Sequence, residues 1–404
     1  MIPSTPRADT APDEQPLRFP RYSSGLALAL SGGGARAAYQ AGVLAGLAAR
    51  LPNLRFPILT GVSAGAINTA VLASQRGPLP DAVAVLLERW RHLTSDVVFR
   101  LAPARLARSA IRWTLQTLLG RTSGPTSLRG VLVTAPLRDF LMRHVDLDAI
   151  DANLAAGHVR AVAVTAASYT AGRSVTFVQG GPDIPMWSRA MRESVRTRLT
   201  VDHIMASCAI PLLFPAVRIG DEFYGDGGVR QTAPLAPALH LGARAVLAIS
   251  LRNPSRARSD RPAVEYPASA LVLGQIFDTV FLDALDADVE HMERVNTLLR
   301  LLPPGVPAPG GLRTVSLLLI RPSRDLGVLA LQHAARLPRR VRWLVGRLGG
   351  RRIGSHNFLS YLLFEPSYTS ALVELGQHDV NANWPAFERF FEGVERMDEE
   401  HPRP

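Results

Sequence analysis

The sequence predicts an α/β fold: a three-layer α/β/α sandwich around a mostly parallel central sheet, followed by a helical C-terminal extension. Three observations predict it. Short, uniformly apolar runs recur along the chain, the pattern of strands buried on both faces of a parallel sheet. Helical stretches rich in alanine and leucine separate them, and strand–helix alternation is what such a sheet requires. Glycine clusters stand at the strand-to-helix junctions, where the chain must turn sharply. With 404 residues, 47% hydrophobic and 20% charged, the chain can bury a sizeable core and hold one large domain plus an extension.

Residues 1–22 are polar and broken by Pro3, Pro6, Pro12, Pro16 and Pro20. They lack the apolar run of a secretory signal, so a disordered tail and a cytoplasmic location are expected, with peripheral contact to an anionic membrane left open. The main domain is expected over 23–320 and the extension over 321–404. Residues 25–30 read as the first strand, and Ser31-Gly32-Gly33-Gly34 ends it. Residues 35–49 read as a helix, 57–60 as the second strand and 64–74 as the second helix. Residues 56–75 carry no formal charge, but Pro57, Gly61, Ser63, Gly65 and Asn68 suit a strand, a tight turn and a helix better than a membrane span. A helical stretch is expected from 79 to about 120, and strands over 159–165 and 174–179 with a turn at Tyr169-Thr170-Ala171-Gly172. Another buried strand follows over 243–251, then an exposed loop over 252–266. A long acidic helix over 271–302 and a strand over 313–320 complete the domain. The extension is helical and carries a run of arginines around Trp343.

The formal net charge is +11, and every one of the 45 basic residues is arginine. A compositional bias and attraction to an anionic surface both account for this. No zinc-finger spacing or aromatic RNA-binding signature accompanies the charge, so nucleic acid is not an expected partner. The arginine-rich stretches near Trp113 and Trp343 fit an anionic membrane face or ordinary amphipathic packing. Cys208 is the single cysteine, which precludes an intramolecular disulfide and fits a reducing compartment.

Three motifs carry chemistry. Gly61-Val62-Ser63-Ala64-Gly65 fits Gly-x-Ser-x-Gly and sits where a buried strand turns into a helix. That turn exposes a serine hydroxyl at a helix N-terminus, and the flanking Gly61 and Gly65 leave it room: a nucleophile elbow. Ser31-Gly32-Gly33-Gly34-Ala35-Arg36 lets consecutive backbone N–H groups of Gly32, Gly33 and Gly34 converge on an anion, as an oxyanion hole requires. Arg36 can add positive charge there or brace the loop. A dinucleotide-binding loop would need an acid about 20 residues on, and none stands between Gln40 and Asp81; a phosphate loop would need a lysine. Tyr224-Gly225-Asp226-Gly227-Gly228 reads as an exposed, tightly folded loop around one aspartate.

In this order, with Ala206-Ser207-Cys208-Ala209-Ile210-Pro211 and Phe214-Pro215 ahead of the aspartate, the three motifs resemble the patatin-like phospholipases, and further on residues 274–299 and 359–364 also look like bacterial-type members of that family. The resemblance covers about residues 25–250. It implies a Ser–Asp dyad: Ser63 as nucleophile, Asp226 as base, Gly32, Gly33 and Gly34 around the oxyanion, and Arg36 as the arginine of the glycine-rich motif. It implies a phospholipase A or lysophospholipase activity on phospholipid or another acyl ester, through an acyl-enzyme and without a cofactor. Where the family usually has an asparagine after its aspartate loop, Gln231-Thr232-Ala233-Pro234 stands here. An acyltransferase or thioesterase of the same fold and a catalytically silent lipid-binding protein are the alternatives. His203 offers the base of a conventional triad or a structural histidine. Cys208 reads as a small buried residue. No cluster has metal-ligand spacing, and Asp278, Asp283, Asp286 and Asp288 read as a solvated helix face. Oligomeric state is left open.

Overall fold

A computed structural model describes residues 25–101, 130–253, 269–303, 306–336 and 356–400. The tail at 1–22, the arginine-rich stretches around Trp113 and Trp343, and the expected loop beyond Asn253 lie outside the described residues.

The chain runs β1 (Leu26–Leu30), α1 (Ala38–Arg50), β2 (Ile58–Val62), α2 (Ala64–Ala73) and α3 (Leu79–His92). Then come β3 (Ala161–Ser168), β4 (Arg173–Gly180), β5 (Arg192–Arg196), α4 (Val201–Ser207), β6 (Glu222–Asp226) and β7 (Ala245–Ile249). The last part holds α5 (Ser269–Asp278), α6 (Ala284–Arg300), β8 (Ser316–Ile320), α7 (Leu326–His333), α8 (His356–Leu362), α9 (Pro366–Ala382) and α10 (Trp384–Glu400). A π-helical turn, Thr279–Asp283, joins α5 to α6.

The sheet order is β8-β7-β1-β2-β3-β4-β5, and the five strands from β8 to β3 are mutually parallel. β4 turns back against β3, and β5 runs parallel to β4. Strand alternation divides the apolar residues between two helical layers. In β1, Leu26, Leu28 and Leu30 enter a core shared with α1, α2, α3 and α9. Ala27 and Ala29 face the other core, where Leu285, Val289 and Met292 of α6 pack. Each such fully buried leucine contributes about 1.5–3 kcal/mol of transfer free energy. The expected α/β/α sandwich is therefore the observed one.

The helical stretch expected over 79–120 ends early. α3 closes at His92, because Thr94 is extended (φ −89°, ψ 164°) and starts the one-turn helix Ser95–Val98. Arg100–Leu101 then pairs as a short strand with Leu132–Val133.

α9 lies directly on α1. A Cβ at Gly42 would lie 2.7 Å from Val373 Cα, and one at Gly46 would lie 2.8 Å from Val380 Cβ. Glycine is what allows these two backbones to approach so closely. The Tyr39 hydroxyl donates to Asp379 Oδ2 at 2.9 Å across the same interface.

Candidate active site

The register of β3 brings Ser63 and Asp226 together. β2 runs alongside the first part of β3, its last pair being Val62 with Thr165. β6 is antiparallel to β3, and its last pair is Asp226 with Ala166. The ends of β2 and β6 thus meet at adjacent positions along β3, one residue short of Ser63 on one side and on Asp226 itself on the other. Gly227 makes the junction possible: a Cβ there would lie 2.7 Å from Val62 Cγ2 and against the Thr165 carbonyl.

Ser63 occupies a strained turn. Its φ of 55° and ψ of −131° place an L-residue in a region it rarely adopts, directly before the first residue of α2. The local sequence permits this. A Cβ at Gly61 would strike Thr69 Oγ1 and the Gly65 carbonyl, and a Cβ at Gly65 would strike the Leu30 carbonyl. The Ser63 N–H donates to Ser207 Oγ at 2.9 Å, and that hydroxyl donates to the Thr165 carbonyl at 2.7 Å, so α4 ties the turn to β3.

Asp226 ends a strand and is wholly buried, not the exposed loop residue the sequence suggested. Its backbone N–H is consumed by the Ala209 carbonyl, and β3 covers its edge, which a glycine-rich string of letters does not reveal. Oδ1 accepts from the Gly228 N–H at 2.9 Å, whereas Oδ2 has no regular hydrogen bond. Burial pushes the carboxyl from 3.8 up to about 7; the nearby Ser63 side chain and the Gly228 amide hold back part of that rise.

Gly32, Gly33 and Gly34 are buried beside the serine. A Cβ at Gly32 would lie 2.9 Å from Ser63 Cβ. Gly34 has φ 57°, and its Cβ position is filled by the Tyr361 carbonyl. The N–H groups of Gly33 and Gly34 have no acceptor among the described residues. Of the two roles open to Arg36, the geometry supports bracing. Its guanidinium points away into a buried cluster, with Nε on Ser360 Oγ (2.7 Å), Nη1 on Asp278 Oδ1 (3.3 Å) and Nη2 on the Asn357 carbonyl (3.3 Å).

A chain of buried polar groups supports the loop from below. Trp90 Nε1 donates to Asn68 Oδ1, Asn68 Nδ2 to Gln40 Oε1, and Gln40 Nε2 to the Ser31 carbonyl. Nothing in the motifs pointed to Gln40 or Asn68, and Ser207 stood in the segment ahead of the aspartate without a role assigned to it; polar residues inside apolar runs were the available signal.

His203 is not turned toward this pair. Its Nδ1 accepts from the Thr200 N–H at 3.0 Å, closing the N-terminus of α4, and its ring lies against Phe177. Cys208 donates to the Ser63 carbonyl at 3.1 Å, and burial together with Asp226 raises its thiol pKa well above the ordinary value, which suits a packing residue rather than a nucleophile. The acids expected on a solvated helix face are engaged: Asp278 pairs with Arg36, Asp286 with Arg252 and Arg321, and Asp288 accepts from the Leu235 N–H. Among the described residues no group of histidine, cysteine and acids could hold a metal.

A narrow apolar pocket opens at Ser63, walled by Ile67, Trp90, Leu137, Ile210, Phe214 and Phe364. A second narrow space lies on the other face of the sheet, bordered by Gly228, Gln231 and Phe281. No described helix is long and apolar enough to cross a membrane.

Residues 28–239 match the Patatin family model, described as patatin-like phospholipase, which is more than half of the chain. The chain belongs to the patatin-like phospholipase family. Solved structures with a similar course include human GIVD cytosolic phospholipase A2 (12% identity, 92% of this chain and 60% of that one, TM-score 0.47). The same human enzyme in complex with methyl γ-linolenyl fluorophosphonate and terbium chloride matches over the same shares (15% identity, TM-score 0.44). VipD from Legionella pneumophila matches over 87% of this chain and 67% of its own (12% identity, TM-score 0.29). The patatin-like chain thus spans about 60% of the length of the human structures it matches. No curated protein matches it in sequence.

Proposed function

We propose that this patatin-like protein is a lipid acyl hydrolase that works through a Ser63–Asp226 dyad and an acyl-enzyme. The observation that carries the reading is the meeting of β2 and β6 along β3. It sets a serine on a strained turn beside a buried carboxylate whose Oδ2 has no regular hydrogen bond. A carboxylate is ordinarily a weak base. A pKa near 7 brings it close to the range where general-base catalysis is effective.

In the first half-reaction Asp226 takes the Ser63 proton as Oγ attacks the ester carbonyl. The tetrahedral oxyanion forms against the N–H groups of the glycine-rich loop. Collapse expels the alcohol, which receives the proton from Asp226, and leaves the acyl group on Ser63. Water then enters, gives a proton to Asp226 as its oxygen adds to the acyl carbonyl, and the second tetrahedral intermediate collapses: the bond to Ser63 Oγ breaks, Oγ takes the proton back from Asp226, and the carboxylic acid leaves. No cofactor takes part. The apolar cavity suits a fatty acyl chain, because it is lined almost wholly by aliphatic and aromatic groups and lies against the nucleophile. A phospholipid or lysophospholipid at an anionic membrane surface is the substrate class this favours, in keeping with the net charge of +11.

The test is hydrolysis of mixed phospholipid vesicles and of a short-chain chromogenic ester by wild type, Ser63→Ala and Asp226→Asn, each with its fold checked by circular dichroism. Turnover by wild type and a loss of about 10²–10⁴-fold in both variants is expected. Lipid binding by wild type without turnover of any ester would overturn the reading and leave a silent lipid binder.

A further inference from the structure

The glycine-rich loop is shaped by parts of the chain that lie beyond residue 239, where the family match ends. Arg36 follows the loop by two residues and is 3% exposed. Every nitrogen of its guanidinium bonds to α5 or α8: Ser360, Asn357 and Tyr361 on one helix, Asp278 on the other. Its carbon lies 4.2 Å above the centre of the Tyr361 ring. The partners bond in turn to one another. Tyr361 donates from its hydroxyl to Asp278 Oδ1 at 3.0 Å, Asn357 donates to Asp278 Oδ2, and Ser360 donates to the Asn357 carbonyl at 2.6 Å. Aromatic packing holds the two helices in place, with Phe277 and Phe281 of the α5 side 5.5 and 5.9 Å from Tyr361. The backbone of α8 itself fills the space under Gly34, whose left-handed conformation (φ 57°) turns the loop.

We infer that Asp278, Ser360 and Tyr361 are positioning residues: acting through Arg36, they hold Gly33 and Gly34 in the conformation that receives the oxyanion. The inference rests on the ester-hydrolase reading above. Its physical basis is that a planar guanidinium gripped at three nitrogens has one orientation. Its Cα is only two residues from Gly34, so that orientation fixes the loop. A lysine would keep the charge and lose the fork. Catalytic donors tolerate little displacement, since about 1 Å of misplacement can cost on the order of 10²-fold in rate. Helices outside the family match thereby complete its active site.

The experiment uses the full chain and compares wild type with Arg36→Lys, Asp278→Asn, Ser360→Ala and Tyr361→Phe. Active sites are first titrated with a fluorophosphonate that labels Ser63, so that rates refer to competent molecules. kcat and KM are then measured on a soluble short-chain ester, and the rate of phosphonylation is measured beside them. The expected result is a fall in kcat per titrated site of about 10–100-fold for Arg36→Lys and Asp278→Asn and about 3–10-fold for the two milder variants. KM should stay within about twofold, and phosphonylation should slow in proportion to kcat, because both reactions put charge on an oxygen received by the same N–H groups. Tyr361→Phe and Ser360→Ala each remove a single hydroxyl, so they serve even if the charge variants do not fold. If the variants lose titratable sites or thermal stability while kcat per site stays at the wild-type value, the network is only structural and the inference is overturned. If wild type is neither phosphonylated nor active on any ester, the hydrolase reading falls, and this inference with it. A failure confined to the variants leaves that reading intact.

Discussion

Replacing Asp226 by asparagine should cost activity and raise stability, and the size of the gain follows from the burial of the carboxylate. Folding moves its pKa from 3.8 to about 7, with burial as the dominant cause. Between those values the folded state holds a proton that the unfolded state has released. The stability associated with the protonated group is therefore intact below pH 3.8, declines as pH rises through this window, and is lost above 7. The gap between 3.8 and about 7 corresponds to roughly 4 kcal/mol. The side-chain amide introduced by Asp226→Asn would keep an oxygen for the Gly228 N–H and carry no charge at any pH. The variant should therefore match wild type at pH 4 and exceed it by up to about 4 kcal/mol at pH 8, a rise in Tm of roughly 4 °C for a chain of this size. Denaturant titrations of both proteins at several pH values between 4 and 8 measure the difference directly. A gain that does not grow with pH, or a variant less stable than wild type at pH 8, would refute the claim that the carboxylate sits uncompensated in a dry site. The same shift sets the activity profile: kcat/KM of wild type should rise with pH through about 7, since only the ionised form accepts the serine proton.

Three further outcomes follow from the geometry. His203→Ala removes a helix cap and an aromatic contact and should cost about 1–2 kcal/mol of stability, with kcat/KM within about threefold of wild type; a collapse of activity in a folded variant would make His203 the base. Leu137→Trp, on the cavity wall remote in sequence from Ser63, should lower kcat/KM for decanoyl relative to acetyl esters by about tenfold or more, and an unchanged ratio would mean that the acyl chain lies elsewhere. Gly42→Ala places a methyl group against the Val373 backbone and should destabilise the fold by about 1–3 kcal/mol with no change in kcat per titrated site, which thermal melts and active-site titration read separately.

The parallel half of the sheet was legible because its chemistry is local. Residues 26–30 and 245–249 are unbroken apolar runs, and only strands buried on both faces need such runs. The glycine-flanked Ser63 was legible for the same reason, since the turn imposes its residues on five consecutive positions. β5 (Arg192–Arg196) was not, because a partly exposed strand of arginine, glutamate and serine, covered on its outer side only by Ser188–Arg189, has no apolar signature. Asp226 was misread as exposed because what buries it is the pairing of β6 with β3, two strands far apart in sequence. The acids of α5 and α6 were misread for a related reason. Helical periodicity reports which face a residue occupies, but the arginines that meet Asp278 and Asp286 come from distant segments.

These long-range contacts bear on how the glycine-rich loop should be understood. Consecutive glycines give a backbone the freedom to converge its N–H groups, and the same freedom makes the convergent shape improbable without restraint. A loop that is only flexible would have to be ordered again at each turnover. Here the restraint comes from its two ends. Ser31 is held by Gln40 through its carbonyl and donates its hydroxyl to the Ile249 carbonyl at 3.0 Å. Arg36 is held by α5 and α8. On the proposed hydrolase reading, the motif would supply the donors, and residues up to 325 positions away would supply the rigidity that lets those donors act.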